Sequence, residues 1–306
     1  MKRLQNRIAE SRFALPVVAV YALLVCLANH LVGQSLWAQL FLLALSTLLM
    51  VQLNNINALI RIYSRMVSCS FLVLTAMVTF LFPQTEGALV ALFFIGFLLI
   101  ICYAYQKPSA AGTVFYAFCC LGLASMFFVH ILLLVPIFWI VLVFFIMAFS
   151  ARTFIASILG LLTPYWLSLL WYGFYGEMDW YGSHFLKLAS FSVPFDFSVW
   201  NIHQLVPFLF IVFLALVSVV HFFQTSYNDK IRTRMIFEML VVLDASMVLF
   251  LVLQPGLYDP LIRLVIIITA PLIGRSLALS NSRFSNVAFI VVCIVTLGIT
   301  FWNLWI

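Results

Sequence analysis

The stretch GEMDWYGSHF, Gly176 to Phe185, gathers two carboxylates, a histidine, two aromatics with polar tips and two glycines into ten residues. Asp179 or His184 is suited to act as a catalytic base, because carboxylates and histidines in a low-dielectric setting can serve as general bases. Lys187 follows His184 at once on the next helical turn. Together with Glu177 and the distant Arg263 it forms a candidate substrate-binding set. Lysine and arginine at head-group depth suit a phosphate or pyrophosphate, and arginine adds bidentate geometry. Metal chemistry has no comparable signature. No two histidines stand at i and i+4, and neither H-x-x-x-H nor H-E-x-x-H occurs. The six cysteines all fall in apolar runs without a C-x-x-C pair, so no metal and no cofactor is expected.

What must position these groups is set by composition. Of 306 residues, 66% are hydrophobic and only 8% charged. A soluble domain carries about 25% charged residues and needs them to cover its core. The expected fold is therefore all-α, a polytopic transmembrane helical bundle formed by residues 1–306 as one domain. The amino-terminal stretch is basic, then apolar, without a clean small-x-small cleavage site. It reads as an uncleaved first span, preceded over Lys2–Phe13 by a short amphipathic helix.

Apolar runs at 14–33, 36–53, 67–82, 87–105, 113–128, 131–149, 153–175, 203–224, 235–254, 259–280 and 285–305 give about eleven spans. The division near His130 is required by length. As one helix, residues 113–149 would reach about 55 Å, against a bilayer core of about 30 Å. A hairpin with Pro136 in its second arm resolves this.

Charge then orients the bundle, since basic residues collect on the cytoplasmic side. With the N-terminus cytoplasmic and the C-terminus periplasmic, thirteen of the fifteen Lys and Arg residues fall inside, leaving only Lys187 and Arg263 outside. Without the hairpin at His130, Arg152 and the group Lys230, Arg232 and Arg234 would also be outside. The net charge of +6 is thus a topology signal matched to anionic inner-leaflet lipids. Scattered span-end charges form no stripe for nucleic acid.

That orientation sends Glu86, Glu177, Asp179, Asp196 and Asp259 outward, five of the nine acidic residues, with His30, His130, His184 and His203. The run LKLASFSVPFDFSVW, 186–200, reads as interfacial. Inside the bilayer Asp244 is the sharpest feature. An ionisable group at mid-span costs about 3 kcal/mol or more and is a functional candidate by default. Arg263 and Arg275, roughly 10 Å outward and 8 Å inward of the centre of the next span at 1.5 Å per residue, are its candidate partners. Glu238 stands one turn after Arg234 and Arg263 one turn after Asp259, so each is expected to pair locally. Asn54 and Asn55 are expected to cap a span, with Arg61 and Arg65 on one helical face of the connector. Pro164 is expected to kink its span.

The layout of LNNINALIRIYSRM, then HILLLVPIFWI, then ARTFIASILGLLTPYW resembles a family of bacterial polytopic inner-membrane proteins of this length. That resemblance implies topology rather than chemistry. More loosely, the architecture is similar to integral-membrane glycosyltransferases that use polyprenyl-phosphate donors. Many of those carry an acidic pair in the first outer loop, where this chain has only GQS after His30. A metal-free mechanism using His and Arg would fit better. The resemblance implies membrane lipids and a polyprenyl-phosphate-linked glycan as partners.

Three functions stay open. A transferase for lipid-linked sugar phosphates predicts a lateral groove beside 176–202. A transporter or flippase predicts a central cavity reaching Asp244. A non-catalytic subunit of an envelope complex predicts an exposed apolar flank with neither.

Overall fold

The computed structural model describes residues 3–29, 37–175, 179–191 and 194–305. Among them the fold is all helical, without a β-strand. In chain order the helices are α1 Leu4–Ala9, α2 Ala14–Ala28, α3 Trp37–Asn57, α4 Met66–Met77, α5 Thr85–Ile101, α6 Ala111–Phe127 and α7 Val135–Phe144. They continue as α8 Ala151–Tyr175, α9 Asp179–Leu188, α10 Ile202–Thr225, α11 Ile231–Leu253, α12 Tyr258–Leu279 and α13 Arg283–Leu304.

Seven of these elements are long and apolar enough to cross a membrane, and four shorter apolar helices accompany them. Those four, Ala14–Ala28, Met66–Met77, Ala111–Phe127 and Val129–Phe144, coincide with the remaining expected apolar runs. These apolar helices are compatible with a multi-pass membrane protein, and large apolar side chains are exposed along α2, α8, α10 and α13.

The chain turns where the length argument requires. α6 stops at Phe127, a 3₁₀ segment spans Val129–Leu134, and Pro136 sits in the first turn of α7, where its missing N–H costs nothing. The far ends of the two arms then meet. Gln106 N–H donates to the Ile146 carbonyl at 2.8 Å, and Ser150 Oγ to the Pro108 carbonyl at 2.9 Å. The two arms therefore run antiparallel.

Hydrogen bonds sort the connections into two ends. At one, Gln5 Nε2 donates to the Leu277 carbonyl at 2.6 Å, Asn54 Nδ2 to the Ser64 carbonyl at 3.0 Å and Arg232 Nη2 to Asn57 Oδ1 at 2.9 Å. At the other, Asn29 Nδ2 reaches the Thr79 carbonyl at 3.1 Å, Gln39 Nε2 the Pro83 carbonyl at 3.3 Å and Trp200 Nε1 the Pro255 carbonyl at 2.8 Å. The first end carries most of the arginines. The second carries α9 and the segment that follows it.

The core centres on α12, whose apolar window is 94% buried, walled chiefly by α4, α11 and α10. Lipid offers no hydrophobic drive between helices, so contact depends on small residues that let backbones approach. A Cβ added at Gly274 would lie 2.8 Å from the Val67 backbone of α4. At Gly160 of α8 it would lie 2.3 Å from the Phe115 carbonyl of α6, and at Gly122 of α6 2.6 Å from the Leu161 carbonyl. Pro164, inside α8, presses its ring on Gly122, and the helix runs on through it. The expected connector helix is absent: after α3 the chain is irregular to Arg65, so Arg61 and Arg65 share no helical face. Asn54 and Asn55 lie within α3 and tie down that linker from there, through Ser64 and Arg65.

Candidate functional site

At the second end of the bundle, a cavity of about 690 Å³ opens between α9, the 3₁₀ turn after α6, and the starts of α5, α10 and α12. Its ionisable lining is Glu86, His130, His184, Lys187 and Asp259, with Trp180, Trp200 and Tyr172 as aromatic wall. Glu86 lies in the first turn of α5 and Asp259 in the first turn of α12, where a carboxylate is favoured by the helix dipole. Lys187 occupies the last turn of α9, the matching place for a cation. Each helix end thus holds its charge for a local reason, and packing brings the ends together.

α9 is anchored by a polar chain. Ser125 Oγ and Tyr165 Oη share a hydrogen bond of 2.8 Å, and Tyr165 Oη lies 3.3 Å from His184 Nε2. Tyr181 Oη donates to the Tyr165 carbonyl at 2.7 Å and meets Ser168 Oγ. His184 stacks on Trp180 at 4.6 Å between ring centroids, and Trp180 stacks on Tyr172 at 4.8 Å. His184 is buried; burial first, then the Lys187 ammonium, holds its imidazole below the usual range, against a raising hydrogen bond with the Ser125 backbone.

His130 is the other buried imidazole. It is 6% exposed, rests between Phe128 and Phe191, and its Nε2 has no hydrogen-bond partner among the described residues. Asp259 accepts a short hydrogen bond from Gln84 Nε2. Trp200 packs edge-on to Tyr258, whose hydroxyl donates to the Gln204 carbonyl at 2.8 Å.

The expected site residues separate into two groups. His184 and Lys187 reach the cavity together. Asp179 opens α9 as an exposed residue outside its lining, and Glu177 lies outside the described residues, as does His30. Arg263 is buried below. Its Nη2 donates to the Leu81 carbonyl and to the Gln84 carbonyl, the latter at 3.4 Å, so it braces the turn before α5 rather than pairing with Asp259 within ion-pair distance. Gly87 makes room for it, since a Cβ there would lie 2.6 Å from Arg263 Nε. His203 packs instead on Trp302 at 4.7 Å.

Asp244 lies apart from the cavity, 5% exposed, and neither expected arginine reaches it. Its partner is Thr269. Arg275 is committed to Asp229, with Nε to Oδ2 at 3.1 Å, and lies over the rings of Phe222 and Phe237 at 4.9 and 5.3 Å. Arg234 and Glu238 do pair locally, at 3.6 Å. Among the described residues, no three His, Cys, Asp or Glu side chains are grouped to hold a metal ion.

Sequence reasoning placed Glu86, His130 and Asp259 on this side without joining them into a site. It missed Gln84, Tyr172 and the Ser125–Tyr165 bond altogether. The one usable signal was an acidic residue in the first turn of two separate helices. No family model, curated protein or solved structure matches this chain.

Proposed function

We propose that this chain crosses a bacterial inner membrane about eleven times, N-terminus cytoplasmic and C-terminus periplasmic, and works as a transferase on a lipid-linked sugar phosphate at the outer leaflet. The carrying observation is the cavity that joins His130, His184, Lys187, Glu86 and Asp259 at the end opposite the arginine-rich connections. It lies beside the segment expected to border a lateral groove, where the exposed aromatics Phe191 and Phe197 pack on the lining residues His130 and Trp200. Such side chains sit where a lipid head group meets the acyl region.

The roles follow from the geometry. His130 is the candidate base, since its Nε2 has no hydrogen-bond partner among the described residues, whereas His184 Nε2 is engaged by Tyr165. Lys187 supplies the positive charge for the phosphate, and Arg263 sets the height of the α5 turn that carries Glu86. The transporter reading draws less support, because Asp244 is closed in by Thr269 away from this opening.

The test is the pool of lipid-linked glycans in cells carrying His130→Ala, Lys187→Gln or Asp244→Asn. The transferase predicts accumulation of an unmodified donor or acceptor in the first two and a wild-type pool in the third. An unchanged pool in all three, with each protein present at wild-type level, overturns it.

A further inference from the structure

Taking the cavity as that head-group site, we propose that its ligand carries a primary ammonium together with a phosphate, as a phosphoethanolamine head group or an amino-sugar phosphate does. The charges in the lining point there. Glu86 and Asp259 bring two carboxylates from α5 and α12, and Lys187 brings one ammonium from α9. A bare phosphate or pyrophosphate entering the cavity would gain Lys187 but meet both carboxylates. A bare amine would gain the carboxylates but meet Lys187. A ligand with both charges matches each wall, and like-charge contact then works against either half alone.

The second observation is His130. Its Nε2 is buried in the cavity wall without a partner among the described residues, and a buried polar atom left unpaired is costly. A neutral imidazole nitrogen accepts from an ammonium N–H in one tautomer and donates to a phosphate oxygen in the other. The Gln84 side chain keeps Asp259 oriented through a hydrogen bond, so that wall is set before the ligand arrives. A primary ammonium donates hydrogen bonds to carboxylates and imidazole; a quaternary one has none to donate.

The full chain, purified in detergent, is titrated with phosphoethanolamine and with glucosamine 1-phosphate, and its thermal midpoint is followed. Ethanolamine, inorganic phosphate and phosphocholine are the controls. One of the two amino-phosphates is expected to bind at least tenfold more tightly than any control, and which one does so separates a phospholipid head group from an amino sugar. Lys187→Gln is expected to abolish the gain from the phosphate. Glu86→Gln is expected to remove the preference for the amine, so that inorganic phosphate competes on equal terms. Glu86 and Lys187 are exposed, so both variants should fold.

Equal binding of inorganic phosphate and the amino-phosphates by wild type overturns the proposal, as does a preference that survives Glu86→Gln, or no binding at all. A flat titration alongside an altered glycan pool in the His130 variant would remove the amine and leave the transferase. Selective binding with an unaltered pool would leave the site and remove the transferase.

Discussion

Thr269 Oγ1 donates a hydrogen bond of 2.7 Å to Asp244 Oδ1, joining α11 to α12 in the middle of the bundle. Thr269 also donates to the Val265 carbonyl of its own helix at 2.8 Å, so one hydroxyl is divided between a side-chain and a backbone acceptor. Thr269→Val keeps the volume and removes the donor. It should cost about 1 to 2 kcal/mol, because Asp244 is left buried with no donor from α12. Asp244→Asn, which still accepts, should lie closer to wild type. Thermal midpoints in detergent rank the two; a Val variant as stable as wild type would contradict the assignment.

Asp229 and Arg275 form a second link between the α10–α11 connection and α12, with side-chain exposures of 3% and 1%. Removing one member of a buried pair strands the other charge, at about 3 to 5 kcal/mol. Asp229→Ala should therefore sharply lower the folded yield. Asp229→Ala with Arg275→Met should recover part of the loss, because neither charge remains. Size-exclusion profiles of tagged protein measure this.

The close crossings at Gly160 and Gly274 leave no room for a side chain. Gly160→Val or Gly274→Val should cost about 1 to 3 kcal/mol or more through overpacking. At Gly298, where a Cβ meets nothing within 4 Å, Gly298→Ala should be neutral or slightly stabilising. Paired thermal melts on the three variants test the contrast.

Acid should loosen α9. The folded state holds His184 neutral, while the unfolded chain titrates near the ordinary histidine value of about 6.5. Below that pH the unfolded state binds more protons, so this stabilisation is present above about 6.5 and is lost as pH falls through the lowered folded value. Lys187 on α9 opposes protonation. Glu86, Asp259 and His130 line the same cavity from the other elements, and Tyr165 of α8 and Trp180 of α9 pack on the ring. Limited proteolysis near 191–198 should accelerate below pH 6.5 in wild type. His184→Phe, which keeps the stack on Trp180, should flatten that dependence.

Orientation has a direct readout. Ser198→Cys, in the segment after α9, should react with a membrane-impermeant maleimide added to intact cells. Tyr227→Cys, at the arginine-rich end and 77% exposed in the fold, should react only after lysis. The reverse pattern would place the cavity on the cytoplasmic side and remove its access to an outer-leaflet substrate.

Much of the architecture was readable from the chain because it depends on local properties. Apolar runs interrupted by QKPSAAG, TSYNDKIRTR and SNSR have helices on either side, and the break beside His130 follows from a length that no single span accommodates. The Arg234–Glu238 pair was equally local, since four residues on a helix make one turn. Arg263 and Arg275 were misread as partners for Asp244 because depth along a span gives height but not direction. Their side chains turn to Leu81 and Asp229, on neighbours that the one-dimensional pattern does not identify.

By itself the sequence determined that this is a chain of apolar helices with its arginines gathered at one end, because hydrophobic run length and span-end charge are properties of consecutive residues. Only the tertiary structure decided that Glu86, His130, Lys187 and Asp259 face one opening, that His184 is tied to Tyr165 while His130 Nε2 has no partner among the described residues, and that Asp244 rests on Thr269. The reason is physical. Which helix faces meet is set by where glycines such as Gly122, Gly160 and Gly274 let backbones close on each other, and those contacts join residues far apart in the chain.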